Sequence, residues 1–208
     1  KDWSISVSQE NFSREIRPVK VRAGDDMVPA SEAEISAMRG LLGSGAWVAG
    51  QTRPDLAILV SKGQQTMPAP SLGDIREANQ LARRARQLPD VDLVFHSTPP
   101  EELALVLHTD SSLNVKTPAK GCQAGWMLSF CGKGLFTGKL TKWSPWSWRS
   151  FRHKSPMGST FAAEARAMSN GLGRLEWGQA MLAGALHHSA FDLRARENLG
   201  RLVTVGVV

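Results

Sequence analysis

The chain has 208 residues, enough for one or two domains with a buried core, and 42% of them are hydrophobic. Lysine and arginine number 25 against 19 acids, a net charge of +6, which points towards a polyanionic partner. No apolar run approaches a membrane span, the N-terminal KDWSISVSQE lacks a signal-peptide core, and no Cys/His spacing suits zinc.

In chain order, residues 1 to 22 alternate polar and apolar through Trp3, Ile5 and Val7, then reach a short helix over Asn11 to Ile16. Ala23 to Pro29 is a Gly/Asp/Pro loop. Its Asp25-Asp26 pair is a turn and not a polymerase site, because no apolar strand feeds it and Pro29 follows closely. From Ser31, a plausible N-cap, Ile35, Met38, Leu41 and Leu42 share one helical face. A second helix is expected from about Pro54 to Gln64, with proline in its first turn, and a third, highly charged one over Asp74 to Leu88. Arg76, Arg83, Arg84 and Arg86 make that third helix either a solvated face or one that touches a nucleic-acid backbone.

Short strands follow at Val91 to His96 and at Leu103 to Asp110, then a Lys/Pro loop. Two further strands are expected at Gly121 to Phe130 and about Leu135 to Trp143, a long helix from near Ser159, and a last strand over Leu202 to Val208. Three strands, a helix and a strand make a mixed sheet packed by a helix. Cys122 and Cys131 stand near the ends of one strand, about 30 Å apart, and are read as reduced thiols. The chain starts without Met and stops inside an apolar run, so both ends are expected to be cut from something longer.

Two carboxylates carry the chemistry. Asp110 ends an apolar strand, and Glu164 sits one turn into the long helix. Between them, residues 111 to 163 hold no acid and eight bases: Lys116, Lys120, Lys133, Lys139, Lys142, Arg149, Arg152 and Lys154. Acids that hold divalent cations, beside bases that hold a polyanion, are what a metal-dependent nuclease needs. Phe161, Ala165, Met168, Leu172 and Leu175 are the expected buried stripe of the helix, with Arg166 and Arg174 on the far side. At about 100° per residue Glu164 then lies about 60° from the stripe's centre, at its edge.

Glu164 is not a capping-box glutamate, because Ser159 or Thr160 as N-cap puts the N3 position at Ala162 or Ala163. A plain surface glutamate is the alternative. Asp110 has a rival reading as an Asx turn with Ser111 and Ser112, although alternation sets it on one face with Ala104, Val106 and His108. A two-metal site needs a further carboxylate, and Glu176, Asp192 and Glu197 do not end strands. Trp143, Trp146 and Trp148 interleave with Lys142, Arg149, Arg152, His153 and Lys154. They form either a nucleic-acid surface that stacks bases and pairs phosphates or a tryptophan core with basic neighbours, Trp143 being the one expected to be buried. His153 is a candidate phosphate contact.

Thr52-Arg53-Pro54-Asp55-Leu56-Ala57, preceded by Gly43-Ser-Gly-Ala-Trp-Val-Ala49, resembles the "vGsLmYla…tRPDia" segment of copia-type retrotransposon Pol polyproteins, which follows their reverse-transcriptase palm. Val7-Ser8-Gln9 with Phe12 is similar to the family's "lsQ..Y" stretch. His108-Thr109-Asp110, the strand at 121–130, Lys142-Trp143-Ser144 and Ser159-Thr-Phe-Ala-Ala-Glu164 resemble, in order, the family's RNase H domain. The resemblance covers nearly the whole chain.

The resemblance implies an α/β (α+β) fold: an RNase H-like mixed sheet with a long helix, preceded by a mostly helical thumb and connection region. Residues 1–70 would be the C-terminal part of the reverse transcriptase, 71–100 a connection, and 101–208 an RNase H-like domain that stops before its third acid. Asp110 and Glu164 match family ligands of two magnesium (or manganese) ions that hydrolyse the RNA strand of RNA–DNA hybrids, while Thr52, Arg53, Pro54 and Asp55 form a structural motif. The expected partners are an RNA–DNA hybrid or other nucleic acid, the rest of the Pol polyprotein and, as an open alternative, a second copy in a homo-oligomer, with no membrane. The implied location is cytoplasmic, in virus-like particles, or nuclear, and not secreted. Ala162 replaces the first Glu of the family's "STEAE", and the lysine-rich insertion after Asn114 is unusual. With one acid missing, the expectation is a fragment inactive by itself. The alternative is a repurposed RNase H-fold binding or scaffold protein without catalysis.

Overall fold

The computed structural model describes residues 3–113, 121–192, 194 and 198–208. Lys116, Lys120, the insertion after Asn114 and Glu197 lie outside the described residues. The chain divides into a helical unit, Ser6–Leu93, and a second unit formed by Val94–Val208 with Lys1–Ile5.

The helical unit contains α1 (Glu10–Glu15), α2 (Glu32–Gln51), a 3-10 turn at Pro54–Leu56, α3 (Ala57–Thr66) and α4 (Leu72–Gln87), and the short strands β1 (Ile5–Val7) and β2 (Leu93–Phe95) fall at its two ends in the sequence. Both longer helices start with a capping box. Ser31 and Glu34 bond reciprocally at the head of α2, and Ser71 and Asp74 do so at the head of α4, satisfying amide groups that have no partner inside the helix. Met38, Leu41, Leu42 and Val48 of α2 pack with Leu56, Val60 of α3 and Ile75, Leu81, Ala85 of α4 in one core. Within the segment expected from residue 71 as a connection, α4 lays its apolar face, Ile75, Ala78, Leu81, Ala82 and Ala85, into this core.

Asp25-Asp26 lies in a loop, as read from its glycine and proline neighbours, and Asp26 pairs with Arg76. Arg83, Arg84 and Arg86 are exposed.

In the sheet unit, β3 (Leu103–Ser111), β4 (Gln123–Gly132), β5 (Trp143–Arg152) and β6 (Thr204–Val207) form one sheet in the order β5-β4-β3-β6. β3 is antiparallel to β4, β4 antiparallel to β5, and β6 parallel to β3. The crossover to β6 contains α5 (Thr160–Leu186) and a short α6 (Leu199–Leu202). The protein is thus a mixed α/β molecule with a mixed sheet.

Two expectations fail here, each for a physical reason. Leu135 to Trp143 is not a strand. Lys133–Thr137 is a 3-10 turn closed by Gly138 at φ 77, a left-handed conformation that suits glycine, and the strand begins only at Trp143. Its run of aromatic residues, Trp143, Trp146, Trp148 and Phe151, suits a pleated strand. A bulge at Leu128/Ser129 lets Trp146 turn to the α5 side, where it stacks on Phe130 and Trp177 at 5.0 and 5.6 Å.

The stripe expected on α5 is also not the buried one. Leu175 is buried, but Phe161 is 82% exposed and Ala165, Met168 and Leu172 are exposed. The helix instead buries Ala163, Ala167, Gly171, Leu175, Gly178 and Leu182, about a quarter-turn away. Close approach explains the choice. A Cβ on Gly171 would come within 2.9 Å of Leu107, and one on Gly178 within 2.7 Å of Trp146, so only small residues fit against the sheet. Arg174, expected to point away, donates to Ser147 Oγ at 3.3 Å and lies 4.5 Å over Trp177.

Candidate functional site

Asp110 is the penultimate residue of β3, and its side chain is exposed. Leu107 and Thr109 face Gly171 of α5, so alternation turns Asp110 to the opposite face of the sheet, with Val106 and His108. Glu164 approaches the same strand end from the α5 side. Ser159 caps α5 by accepting from Ala162 N–H at 3.1 Å, which leaves Glu164 two positions beyond the N-terminal capping set and next to buried Ala163. Its carboxylate Oε1 accepts from the backbone N–H of Ser111 at 3.3 Å. The two acids therefore belong to one unit and stand at one end of β3, Asp110 on the face away from α5 and Glu164 on the α5 side. The Ser111 N–H was the partner that sequence reading missed, because the Ser-Ser pair after Asp110 also fits a turn, whereas β3 runs on through Ser111.

Two carboxylates suit a hard divalent cation, since magnesium is commonly held by one or two of them with water and phosphate oxygens filling its octahedron. Among the described residues, no group of three or more His, Cys, Asp or Glu side chains stands ready to hold a metal ion. Asp110 and Glu164 approach the strand end from opposite faces, so a shared ion would need both side chains to turn towards the edge.

The basic and aromatic candidates divide by face. In register, Trp143, Trp148 and Arg152 of β5 share the face of Asp110, while Arg149 and Phe151 turn towards α5. Lys142, Arg149, Arg152 and Lys154 are exposed. Arg149 lies 5.4 Å over the Phe151 ring. Trp143 is 41% exposed, contrary to expectation, and meets His108 edge-on at 6.0 Å; Trp148 is half-buried. Trp143 stays open because the strand starts there and the 3-10 turn before it covers Ala104, Val106 and Cys131 through Leu135.

His153 is not a surface phosphate contact. It is 3% exposed, set edge-on to Phe151 at 5.3 Å, with Nε2 lacking a partner among the described residues. Burial holds its pKa below the ordinary imidazole value, and the Arg166 guanidinium adds to the effect against a hydrogen bond with the Ala163 backbone. It is a neutral imidazole that fixes the end of β5 to the first turn of α5. Cys122 and Cys131 are free and buried, and burial raises the Cys131 thiol to about 11, which makes it inert.

The Thr52-Arg53-Pro54-Asp55 motif lies in the helical unit and is structural. Arg53, 1% exposed, donates to both Asp55 carboxylate oxygens at 2.8 and 2.9 Å and to the carbonyl of Leu88 at 2.6 Å. Burial works to raise the Asp55 pKa, and Arg53 with Arg84 outweighs it, holding the carboxyl below its ordinary value. Thr52 Oγ1 donates to Gln9 at 2.9 Å, so two separate stretches of the family-like sequence meet in space.

Among the described residues, no helix is long and apolar enough to cross a membrane. Compared with known proteins, the chain matches no family model, no curated protein and no solved structure.

Proposed function

We propose that residues 94–208 are an RNase H-like nucleic-acid domain of a copia-type Pol polyprotein, with Asp110 and Glu164 as its metal-binding carboxylates. The observation that carries this reading is topological. The sheet order β5-β4-β3-β6, an antiparallel meander with a parallel fourth strand reached through a long helix, puts one acid at the end of the central strand and the other on that helix. A sequence that resembles the family's RNase H motifs in order predicts this arrangement.

The reaction is hydrolysis of the RNA strand of an RNA–DNA hybrid. Magnesium, when bound, neutralises phosphate charge and lowers the pKa of water. The chain's own part is positional. Asp110 and Glu164 supply the anionic oxygens, and the Ser111 N–H steers Glu164 towards the rim. Lys142, Arg149, Arg152 and Lys154 hold the hybrid by its backbone, and Trp143 or Trp148 stacks or packs beside it. The remainder of the polyprotein supplies the missing acid, and the setting is a cytoplasmic particle or the nucleus.

A second reading, a nucleic-acid-binding or scaffold protein that no longer cleaves, is favoured by the lack of a third acidic ligand among the described residues and by Ala162. Incubating the chain with a labelled hybrid in magnesium or manganese separates the two. The expected result is salt-sensitive binding with little or no cleavage, and manganese-dependent tightening lost in Asp110→Asn and in Glu164→Gln. Binding indifferent to metal and to both substitutions would decide for the scaffold. Rapid magnesium-dependent cleavage abolished by Asp110→Asn would show that these two acids suffice. A protein that ignores the hybrid at low salt loses both readings.

A further inference from the structure

On the face of the sheet away from α5, three residues stand in register across the strands: Asp110 on β3, Gly125 on β4 and Ser150 on β5. Beside this row lies a taller one, His108, Met127 and Trp148; on its other side Gln123 stands opposite Arg152. The middle of the row is bare. Among the described residues, a Cβ built on Gly125 would meet no side chain within 4 Å, its one neighbour being the carbonyl oxygen of Arg149 at 3.3 Å. The Gln123 amide donates to Ser150 Oγ at 2.8 Å and ties down the β5 end. With strands about 4.8 Å apart, the three residues span about 10 Å of shallow depression that leads to the Asp110 carboxylate.

Apart from Asp110 itself, the charge beside the row is basic. Arg152 is exposed on this face and makes no ion pair with a described residue, Lys154 follows just past the strand end, and residues 111–163 contain no acid. A depression with a glycine floor and a cationic bank suits a chain that is itself anionic along its backbone.

We propose that this row is the track by which a nucleic-acid strand crosses the sheet, its sugar–phosphate backbone lying over Gly125 on the way to Asp110. The missing side chain at residue 125 sets how closely the strand can approach. The inference rests on the reading of this unit as an RNase H-like nucleic-acid domain and adds to it a path and a specificity-determining position.

The test measures anisotropy of a short labelled RNA–DNA hybrid with the full chain in EDTA, so that metal plays no part. Gly125→Val keeps β propensity and fills the floor; it should weaken binding about tenfold, with Gly125→Ala in between. Arg152→Ala should weaken binding and lower the salt slope by about one. Met168→Glu, on the exposed side of α5, should leave binding unchanged. Near-UV circular dichroism checks that each variant is folded, and Arg152→Ala, a surface change, keeps the test decisive if a Gly125 variant is not. Wild-type affinity in the folded Gly125→Val and Arg152→Ala variants overturns the track while the nucleic-acid reading stands. A wild-type protein that does not bind hybrid removes both. Competition by polyglutamate as strong as by unlabelled hybrid would mean that the surface reads charge alone, and would overturn the track too.

Discussion

In the helical unit, the buried guanidinium of Arg53 is met by Asp55 on two nitrogens and by the Leu88 carbonyl on a third. In the sheet unit, the buried imidazole of His153 leaves Nε2 without a partner among the described residues, and His96 Nδ1, His108 Nε2 and Ser129 Oγ share that condition. Surface charge follows the same division. Arg22, Arg76 and Arg84 pair with Glu34, Asp26 and Asp55, whereas Arg149, Arg152 and Lys154 pair with no described residue. The contrast is one of degree, since Ser13 Oγ of the helical unit is also without a partner among the described residues and Arg83 and Arg86 are exposed. The pairs of Arg22, Arg76 and Arg84 lie in the helical unit, while the sheet unit leaves Arg152 and Lys154 facing solvent, which suits a surface for a polyanion.

Breaking Arg53 should test this contrast most severely. Arg53→Met leaves Asp55 with Arg84 alone and strands the Leu88 carbonyl, and should cost about 3 kcal/mol, read as loss of helical signal in a urea titration. An unchanged midpoint would mean that the motif is not structural. Gly178→Val should follow, since its side chain would drive into Trp146 and Leu128 and cost about 1–3 kcal/mol by pushing α5 off the sheet; thermal melts followed at the tryptophans report it. Ser31→Ala removes one capping box and should cost about 1 kcal/mol in the helical unit.

Two pH effects come last, and they differ between the units. His153 is held below its ordinary 6.5, so as pH falls through that value the unfolded chain takes up a proton that the folded one resists, and stability drops. His153→Gln should flatten the melting temperature between neutral pH and about pH 5. Glu34 behaves in the opposite sense at lower pH. Hydrogen bonds from Ser31 and Arg22 backbone N–H groups, with the Arg22 charge, lower its pKa from 4.5 to about 2. Its contribution is complete above 4.5 and fades as pH falls towards 2, so Glu34→Gln should remove that acid-sensitive step. If both steps survive both substitutions, other groups set the acid limit.

Much of the helical unit was legible in its local chemistry. Ser31 marks a helix start, Pro54 marks a first turn, and the apolar spacing after Ser31 names the buried face; the third helix, expected from Asp74, starts at Leu72 under a Ser71 cap. Asn79, which bonds the Val19 N–H and carbonyl at 2.7 and 2.9 Å, was not legible, because its partner lies sixty residues away. On α5 the error came from weighting large apolar residues. Phe161, Met168 and Leu172 look like core, yet a helix pressed against a sheet selects its face by size, and Ala163, Gly171 and Gly178 win the contact. The same selection brings Glu164 closer to the buried face than the expected stripe allowed, and so to Ser111.

The sequence by itself determined the capped helices, the apolar strand ending in Asp110, the acid-free basic stretch and the position of Glu164 just past a serine cap. These are local: each depends on neighbours within a few residues and on periods of two or 3.6. Only the tertiary structure decided that Trp143–Arg152 is the outer strand, that His153 is buried, that the two acids reach one rim from opposite faces, and that Gly125 lies bare between Asp110 and Ser150. Such facts depend on which surfaces approach closely enough to exclude a side chain, and steric exclusion between distant segments leaves no periodic trace in the chain.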